Sequence, residues 1–432
     1  MAALTAAQAH EVARERDRAQ AEAEKAQALN TFLQSTLLSP DPISGLGRDV
    51  TMIQALDSAV ARMRREPPGS KPVEGAVKSA IGWAYYKLGE YAKAEPLLAD
   101  ALRIRETDPG RDSADLGESL FRLGSLHQAL ARSDSAVAEF RRAVAIRRRV
   151  KDPARAELGP TLSQVGLVLG LRGDTVGARS YLLEAHRIFE QAGDSAGIAE
   201  VENSQGILAH ARGDLAAAER HFVTSVEIRR RTHDRALGDA LGNLGVVYDD
   251  LNRTEDAERT YREAITDLES KFGPEHEMVT GMWNNLAILL DRTGHLAQAD
   301  SIYRRVLAID ERKLGKDHPN VGRTLVNLSL LRCSHGDASS GLPMVQRALG
   351  ILSKDAPPDG WQLAATRSAV GVCLTAAKRY PEAEVVFVQA LKTLETALGP
   401  SHWRTDSTRA RLRRMYVAWG KPDRAAALQH PR

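Results

Sequence analysis

A small residue returns along most of this 432-residue chain at a nearly constant interval, and this period constrains the fold more than any other feature. The successive intervals are 42, 42, 40, 39, 42, 42 and 42 residues. A period of roughly 20 to 50 residues is typical of arrays in which one supersecondary unit is repeated. The positions, which we call the small slots, are Gly82, Gly124, Gly166, Gly206, Gly245, Ala287, Ser329 and Gly371.

Two further positions keep the same phase as the small slots. A turn position follows each slot by seven residues, and it holds Gly89, Ala131, Gly173, Gly213, Asn252, Gly294, Gly336 and Lys378, with Gly420 continuing the series in the partial ninth unit. Five residues later comes a position that is nearly always alanine: Ala94, Ala136, Ala178, Ala218, Ala257, Ala299, Gly341, Ala383 and Ala425. Apolar residues at helical spacing stop before the turn and resume after it. Each unit is therefore predicted to be two helices around a tight turn.

Large apolar residues share one register in the second helix of most units: Leu98, Phe140, Leu182, Phe222, Tyr261, Tyr303 and Phe387. We expect them to fill the space that the small slots leave between two helices, whose axes lie about 8 to 10 Å apart. One helix pair cannot bury both of its faces, so neighbouring units must stack. The sequence predicts eight units and a partial ninth. Aromatic residues are only 5% of the chain, so the core depends mainly on Ala, Leu and Val.

The pattern resembles the tetratricopeptide repeat (TPR) over residues 73–428. The 42-residue spacing, the first helix with "NNLA" at residues 284–287 and the joint "GKDHP" at residues 315–319 are similar to the kinesin-light-chain-like subclass. The resemblance implies an all-α superhelix, or α-solenoid, of about eight helix-turn-helix repeats with a C-terminal capping unit. It also implies a concave surface that is lined by the first helices.

Three histidines recur in one phrase, three residues after a glycine. The phrases are "KFGPEHEMV", "KLGKDHPNV" and "ALGPSHWRT", which contain His276, His318 and His402. A histidine beside acidic residues is a candidate metal ligand, but a metal site needs several ligands at one point. These histidines are a whole unit or more apart, so we expect them to lie in the joints between units. We expect no metal site and no cofactor.

The resemblance places the candidate binding residues two positions before the small slot, where TPR proteins use asparagine to hold the backbone of an extended peptide. Three successive units have Asn243, Asn285 and Asn327 at this position. One amide offers both a donor and an acceptor, so it can bind a peptide bond whatever the side chains are. Asp250, Arg292 and Ser334 follow seven residues later on the same helix face, and we expect them to supply selectivity. The alternative is that these asparagines belong to the repeat pattern and bind nothing.

The segment before the repeats has a different composition. Residues 1–38 are Ala-rich, alternate in charge and predict one long helix, while residues 39–72 predict a linker and a short helix. The apolar face of the long helix is too weak to predict a coiled coil, and dimerisation through it is left open. The run from "ARERDRAQAEAEK" to "GRDVTMIQALDSAVARM" resembles the segment after the transmembrane helix of bacterial serine/threonine kinases with C-terminal TPRs. Residues 429–432 are predicted to be a tail.

Other function classes have little support in the sequence. The kinase motifs G-x-G-x-x-G, V-A-I-K, H-R-D and D-F-G are absent, as is the G-x-S-x-G motif of hydrolases. A net charge of +3 gives no reason to expect nucleic acid, and the basic runs at residues 147–149 and 229–231 are predicted to end second helices. Two cysteines, Cys333 and Cys373, exclude a disulfide framework but leave one bridge open, and we interpret both as buried small residues.

These observations predict a non-enzymatic scaffold that binds a protein or peptide in its groove. The alternative is the sensory or docking part of a bacterial kinase system whose kinase domain is absent from this chain. No run of about 18 apolar residues predicts a membrane span. The chain as written is expected in the cytoplasm, and outside it if it is the C-terminal part of a membrane-anchored kinase.

Overall fold

A computed structural model describes residues 52–67, 69–107, 114–130, 132–149, 157–354 and 360–428, together with isolated residues between positions 12 and 30. The long helix predicted over residues 1–38 otherwise lies outside the described residues, as do Ala131 and the tail at residues 429–432. The described part contains nineteen helices and no strand, which confirms the all-α fold class. The chain divides into two compact units, the first ending at Leu208 and the second beginning at Ala209.

The helices of the first unit follow one another as short antiparallel pairs after a leading helix. They are α1 (Met52–Arg65), α2 (Lys71–Lys87), α3 (Tyr91–Glu106), α4 (Ala114–Ala129), α5 (Ser133–Arg149), α6 (Leu158–Leu171) and α7 (Thr175–Ala192), and α8 (Ser195–Ala211) crosses the boundary. Within this unit, α2 packs on α3, α4 on α5 and α6 on α7, and each pair packs on the next. The leading helix α1 lies in the segment predicted as a linker and a short helix.

The helices of the second unit repeat the same arrangement. They are α9 (Leu215–Thr232), α10 (Leu237–Asp250), α11 (Thr254–Phe272), α12 (Glu277–Arg292), α13 (Leu296–Leu314), α14 (Pro319–Ser334), α15 (Ala338–Leu352), α16 (Trp361–Ala376), α17 (Tyr380–Leu398), α18 (Trp403–Ala418) and α19 (Pro422–Ala426). From α2 onward the even-numbered helices are the first helices of the pairs and the odd-numbered helices are the second. The array therefore has eight full pairs and a short ninth, as the sequence predicts.

The small slots face the large apolar residues that share one register in the second helices, as predicted. A Cβ added at Gly124 would lie 2.9 Å from Phe140, and one added at Gly245 would lie 2.6 Å from Tyr261. Such distances are too short for two carbon atoms, so only a small residue lets the two helices approach this closely. The alanine five residues after the turn is equally enclosed, and Ala136 and Ala257 have no exposed surface.

The turn positions adopt left-handed backbone. Glycine meets this requirement without a Cβ penalty, as at Gly294, where φ is 84°. Asn252 (φ 57°) and Lys378 (φ 59°) adopt the same conformation with side chains that favour it less. The turn geometry is therefore kept at these two described positions without a glycine.

The two cysteines are both buried, as interpreted from the sequence, but they are also bonded to each other. Cys333 of α14 and Cys373 of α16 form a disulfide, with Cα atoms 5.0 Å apart. The bond joins the first helices of two consecutive pairs. Separately, none of the described helices is long and apolar enough to cross a membrane.

Candidate functional site

The predicted binding residues lie on three consecutive first helices of the second unit. Asn243 is on α10, Asn285 on α12 and Asn327 on α14, and each of these helices contacts the next. All three side chains are partly exposed. We call the surface formed by these positions, and by those seven residues further on, the first-helix face. The structure therefore brings the three asparagines into one row.

The amides in this row differ from their sequence neighbours in what they contact. Asn284, which precedes Asn285, donates from Nδ2 to the Thr280 carbonyl and to Thr324 Oγ1, both at 3.2 Å. The side chains of Asn285 and Asn327 make no hydrogen bond to any other residue that the structure describes. Their donors and acceptors are therefore directed to solvent or to a ligand, whereas Asn284 holds α12 against α14.

Two of the three positions expected to supply selectivity take part in contacts between consecutive first helices. Asp250 Oδ2 lies 2.6 Å from His210 Nε2 of α8. Arg292 donates to Asp249 Oδ1 and, at 3.1 Å, to Asn252 Oδ1, which are in the preceding pair. Ser334 is exposed at the end of α14. A ligand on this face would meet Asp250 and Arg292 as members of existing polar contacts.

The three recurring histidines lie in the joints between pairs, as predicted, and each caps the helix that follows. The backbone N–H of Met278 donates to His276 Nδ1 at 3.3 Å, and the same bond joins Asn320 to His318 and Arg404 to His402, both at 3.2 Å. The side chain thus satisfies one of the N–H groups that a helix start leaves unpaired. No cluster of three or more metal-ligating side chains occurs among the described residues.

The glycine three residues before each histidine has backbone that other residues rarely adopt. At Gly315, φ is 92° and ψ is 154°, in a region that is essentially restricted to glycine. The N–H of His318 then donates to the Gly315 carbonyl at 3.2 Å, which closes the joint. The phrase G-x-x-H is therefore a structural unit that ends one helix and starts the next.

Other joints use a buried arginine instead. Arg147 and Arg229 lie in the last turns of α5 and α9, as predicted, and only 2% and 4% of their surfaces are exposed. Arg147 donates to the Glu157 carbonyl at 3.1 Å and to Glu118 Oε2 at 2.7 Å. Their charges are therefore used inside the array, which agrees with the structural interpretation of the basic runs.

One polar group in the second unit was not identified from the sequence. Asp310 of α13 is 2% exposed, and it accepts hydrogen bonds from Thr280 Oγ1 at 3.1 Å and Thr324 Oγ1 at 3.5 Å. Burial raises the pKa of the Asp310 carboxyl. The group links α12, α13 and α14 and lies beside Asn284. The only sequence signal is an aspartate at a position that is Arg147 or Leu268 in other units.

Comparison with known families agrees with this architecture. A family profile described as Tetratricopeptide repeat matches residues 74–149, 115–191, 157–231, 197–270 and 279–354. A second profile with the same description matches residues 363–404. Together the matches cover more than half of the chain. No curated protein matches the sequence.

Several solved structures are similar at low sequence identity. BtubC (BKLC) from P. vanneervenii is 22% identical, over 54% of this chain and 93% of its own, with a TM-score of 0.44. A putative kinesin light chain from Podosopora anserina is 17% identical, over 45% of this chain and 92% of its own, with a TM-score of 0.37. A Rap protein complexed with competence and sporulation factor is 12% identical, over 82% and 99%, with a TM-score of 0.48.

The capping role of His402 predicts a pH dependence of stability. Burial, and then the nearby charge of Arg404, lowers the pKa of His402 from its ordinary value of 6.5. Nδ1 can accept the cap hydrogen bond only when it is unprotonated. The unfolded chain therefore binds more protons than the folded chain as the pH falls below about 7, and the free energy of unfolding decreases.

A variant in which the cap does not titrate isolates this effect. His402→Asn retains an acceptor at the N-cap, and asparagine is a favoured residue there. From about pH 7.5 to about pH 5.5, the wild type should lose about 1 kcal/mol more of its free energy of unfolding than the variant. Urea unfolding at each pH measures the difference. Parallel pH curves for the two proteins would contradict the capping role.

Proposed function

The chain belongs to the tetratricopeptide repeat family, and from this premise we propose that it is a non-enzymatic scaffold that binds an extended peptide or protein segment along the first-helix face of its second unit. The observation that carries the proposal is the row of asparagines at positions 243, 285 and 327, of which the second and third make no hydrogen bond to the described residues. We propose no catalytic activity, cofactor or nucleic-acid partner.

The spacing of the row suits a peptide backbone. Packed helices lie about 8 to 10 Å apart, and an extended chain rises about 3.3 Å per residue. Consecutive asparagines are therefore matched to peptide bonds about three residues apart. Each amide can donate to a carbonyl and accept from an N–H of the same strand. Binding of this kind depends on the backbone, so sequence preference must come from neighbouring side chains.

Removal of the three amides tests the proposal. Peptides selected from a displayed random library on the wild-type chain serve as ligands, and their dissociation constants are measured for the combined variant Asn243→Ala, Asn285→Ala and Asn327→Ala. A net loss of about 1 kcal/mol for each pair of hydrogen bonds weakens binding by about a hundredfold in total.

A control removes three exposed amides from second helices of the same unit: Gln298→Ala, Gln346→Ala and Gln389→Ala, on α13, α15 and α17. This variant should bind the selected peptides as tightly as the wild type. Equal affinity of the asparagine variant and the wild type, with both proteins folded by circular dichroism, would reject the first-helix face as the binding site.

A second candidate function is the sensory or docking part of a bacterial serine/threonine kinase system, with the repeats outside the cytoplasm. The observation in favour is the bond between Cys333 and Cys373, because disulfides persist in oxidising compartments and are rare in the cytosol. These two are the only cysteines of the chain. The resemblance of the segment before the repeats to part of such kinases supports the same proposal, and a kinase domain and a membrane helix encoded upstream would distinguish it from a free-standing scaffold.

The redox state of the chain in its native source tests this location. Protein denatured in iodoacetamide without reductant should gain no carbamidomethyl group by mass spectrometry, and it should gain two after reduction. Addition of two groups before reduction means that the thiols are free in the cell and places the repeats in a reducing compartment. Denaturation exposes both buried sulfurs in each sample, so a difference reports on the bond and not on access.

A further inference from the structure

The row of asparagines does not continue to the end of the second unit. The equivalent position on α16 is Ala369, which is buried, and the equivalent position on α18 is Arg411. Arg404 lies seven residues before Arg411 and Arg414 three residues after it, so all three occupy one side of α18. We call these three residues the arginine stripe.

The stripe lies beside α16. Arg411 donates from Nη1 to Ser368 Oγ of α16 at 3.3 Å. The guanidinium carbon of Arg404 lies 4.5 Å from the ring centroid of Trp361, at the start of α16, and 4.1 Å from that of Trp403. Trp403 is 64% exposed, so this end of the stripe is an aromatic surface open to solvent. The indole rings contact the flat face of the Arg404 guanidinium and leave the N–H groups at its edge available to a ligand.

The stripe has no counter-charge within the described part of the chain. No described carboxylate pairs with Arg404, Arg411 or Arg414, whereas Arg409 of the same helix pairs with Asp406 at 2.5 Å and Glu395 at 2.8 Å. Burial lowers the pKa of Arg404 and of Arg411, and the neighbouring charge of Arg414 lowers that of Arg411 further. Arg404 and Arg411 are partly buried, and a partly buried cation is stabilised by an anion beside it, so this side of α18 is suited to receive one.

The charges of the first helices also change sign along the second unit. Helix α10 has three acidic residues, Asp239, Asp249 and Asp250, and no Lys or Arg. Helices α14 and α16 have no acidic residue, and α18 has five arginines and one aspartate. A ligand that follows the first helices from α10 to α18 therefore passes from aspartates, two of which contact His210 and Arg292, to the arginine stripe.

We propose that the arginine stripe of α18 is a subsite for the acidic part of a peptide that binds along the first-helix face. The subsite rests on the function proposed above, because the asparagine row would hold the backbone that delivers the carboxylates to α18. A carboxylate would bind the N–H groups of Arg411 or Arg414, and aliphatic or aromatic side chains beside it would pack on Trp403.

An acidic peptide fits this surface better than a nucleic acid does. The positive charge is concentrated on α18, whereas α10 has three aspartates and no Lys or Arg, so the positive surface does not extend to α10 as a phosphate backbone along the row would require. The exposed ring of Trp403 and the half-buried ring of Trp361 lie at one end of the stripe, and they do not form the row of aromatic residues on which successive bases stack.

Defined peptides provide the test with the full chain. The probe is a fluorescein-labelled Gly/Ser peptide with glutamate at every third position, and the matched probe has glutamine in place of glutamate. Dissociation constants are measured by fluorescence anisotropy. The glutamate peptide should bind about tenfold more tightly than the glutamine peptide, and this preference should decline as the salt concentration is raised. In Arg411→Gln combined with Arg414→Gln, the two peptides should bind equally. Arg413→Gln, which removes a charge from the opposite side of α18, should retain the preference.

Each other result overturns the subsite. A glutamate preference that survives the paired arginine variant, or binding of neither peptide by the wild type, rejects it. A thymidine oligonucleotide that binds more tightly than the glutamate peptide and displaces it would show a phosphate site instead. The asparagine variant separates the two proposals. If this variant binds the glutamine peptide as tightly as the wild type does, the function proposed for the first-helix face fails. If it loses that binding, but the glutamate preference does not depend on Arg411 and Arg414, the arginine stripe alone is rejected.

Discussion

The contact between the small slot of each first helix and the large residue of its second helix is the constraint on which the structure depends. At Gly245 the Tyr261 ring occupies the volume that a Cβ would need, and at Gly371 Phe387 does the same. The second helix of a pair covers only the side of the first helix that holds the small slot, and it leaves the opposite side of the first helix uncovered. The row of asparagines and the arginine stripe lie on first helices, so the packing that builds each pair also determines which residues can meet a ligand.

The joints between pairs are built by several solutions to the same problem. A helix start leaves backbone N–H groups unpaired, and a helix end leaves carbonyls unpaired. In three joints a histidine after a glycine accepts from the following helix, whereas at α5 a buried Arg147 donates to the Glu157 carbonyl at the start of α6. The backbone of the joint varies as well, since ψ is 154° at Gly315 after α13 and 38° at His233 after α9.

Most of the fold was predictable from the sequence, because periodic glycine and alanine report helix contacts directly. The pairs, the turns, the buried alanines and the role of the histidines in the joints follow from position alone. The bond between Cys333 and Cys373 did not, since a separation of 40 residues fits buried thiols as well as a disulfide. The lack of a described carboxylate beside Arg411 was equally hidden: a sequence shows how many arginines α18 has, but only the structure shows which of them meet a described carboxylate.

A double-mutant cycle at one slot tests the central claim most directly. The free energies of unfolding in urea are compared for the wild type, Gly245→Ala, Tyr261→Ala and the combined variant. We expect Gly245→Ala to cost about 1 to 3 kcal/mol in the wild type, because the new Cβ meets the Tyr261 ring, and almost nothing once that ring is removed. An equal cost of Gly245→Ala in both backgrounds would contradict the claim that this contact sets the helix pairing.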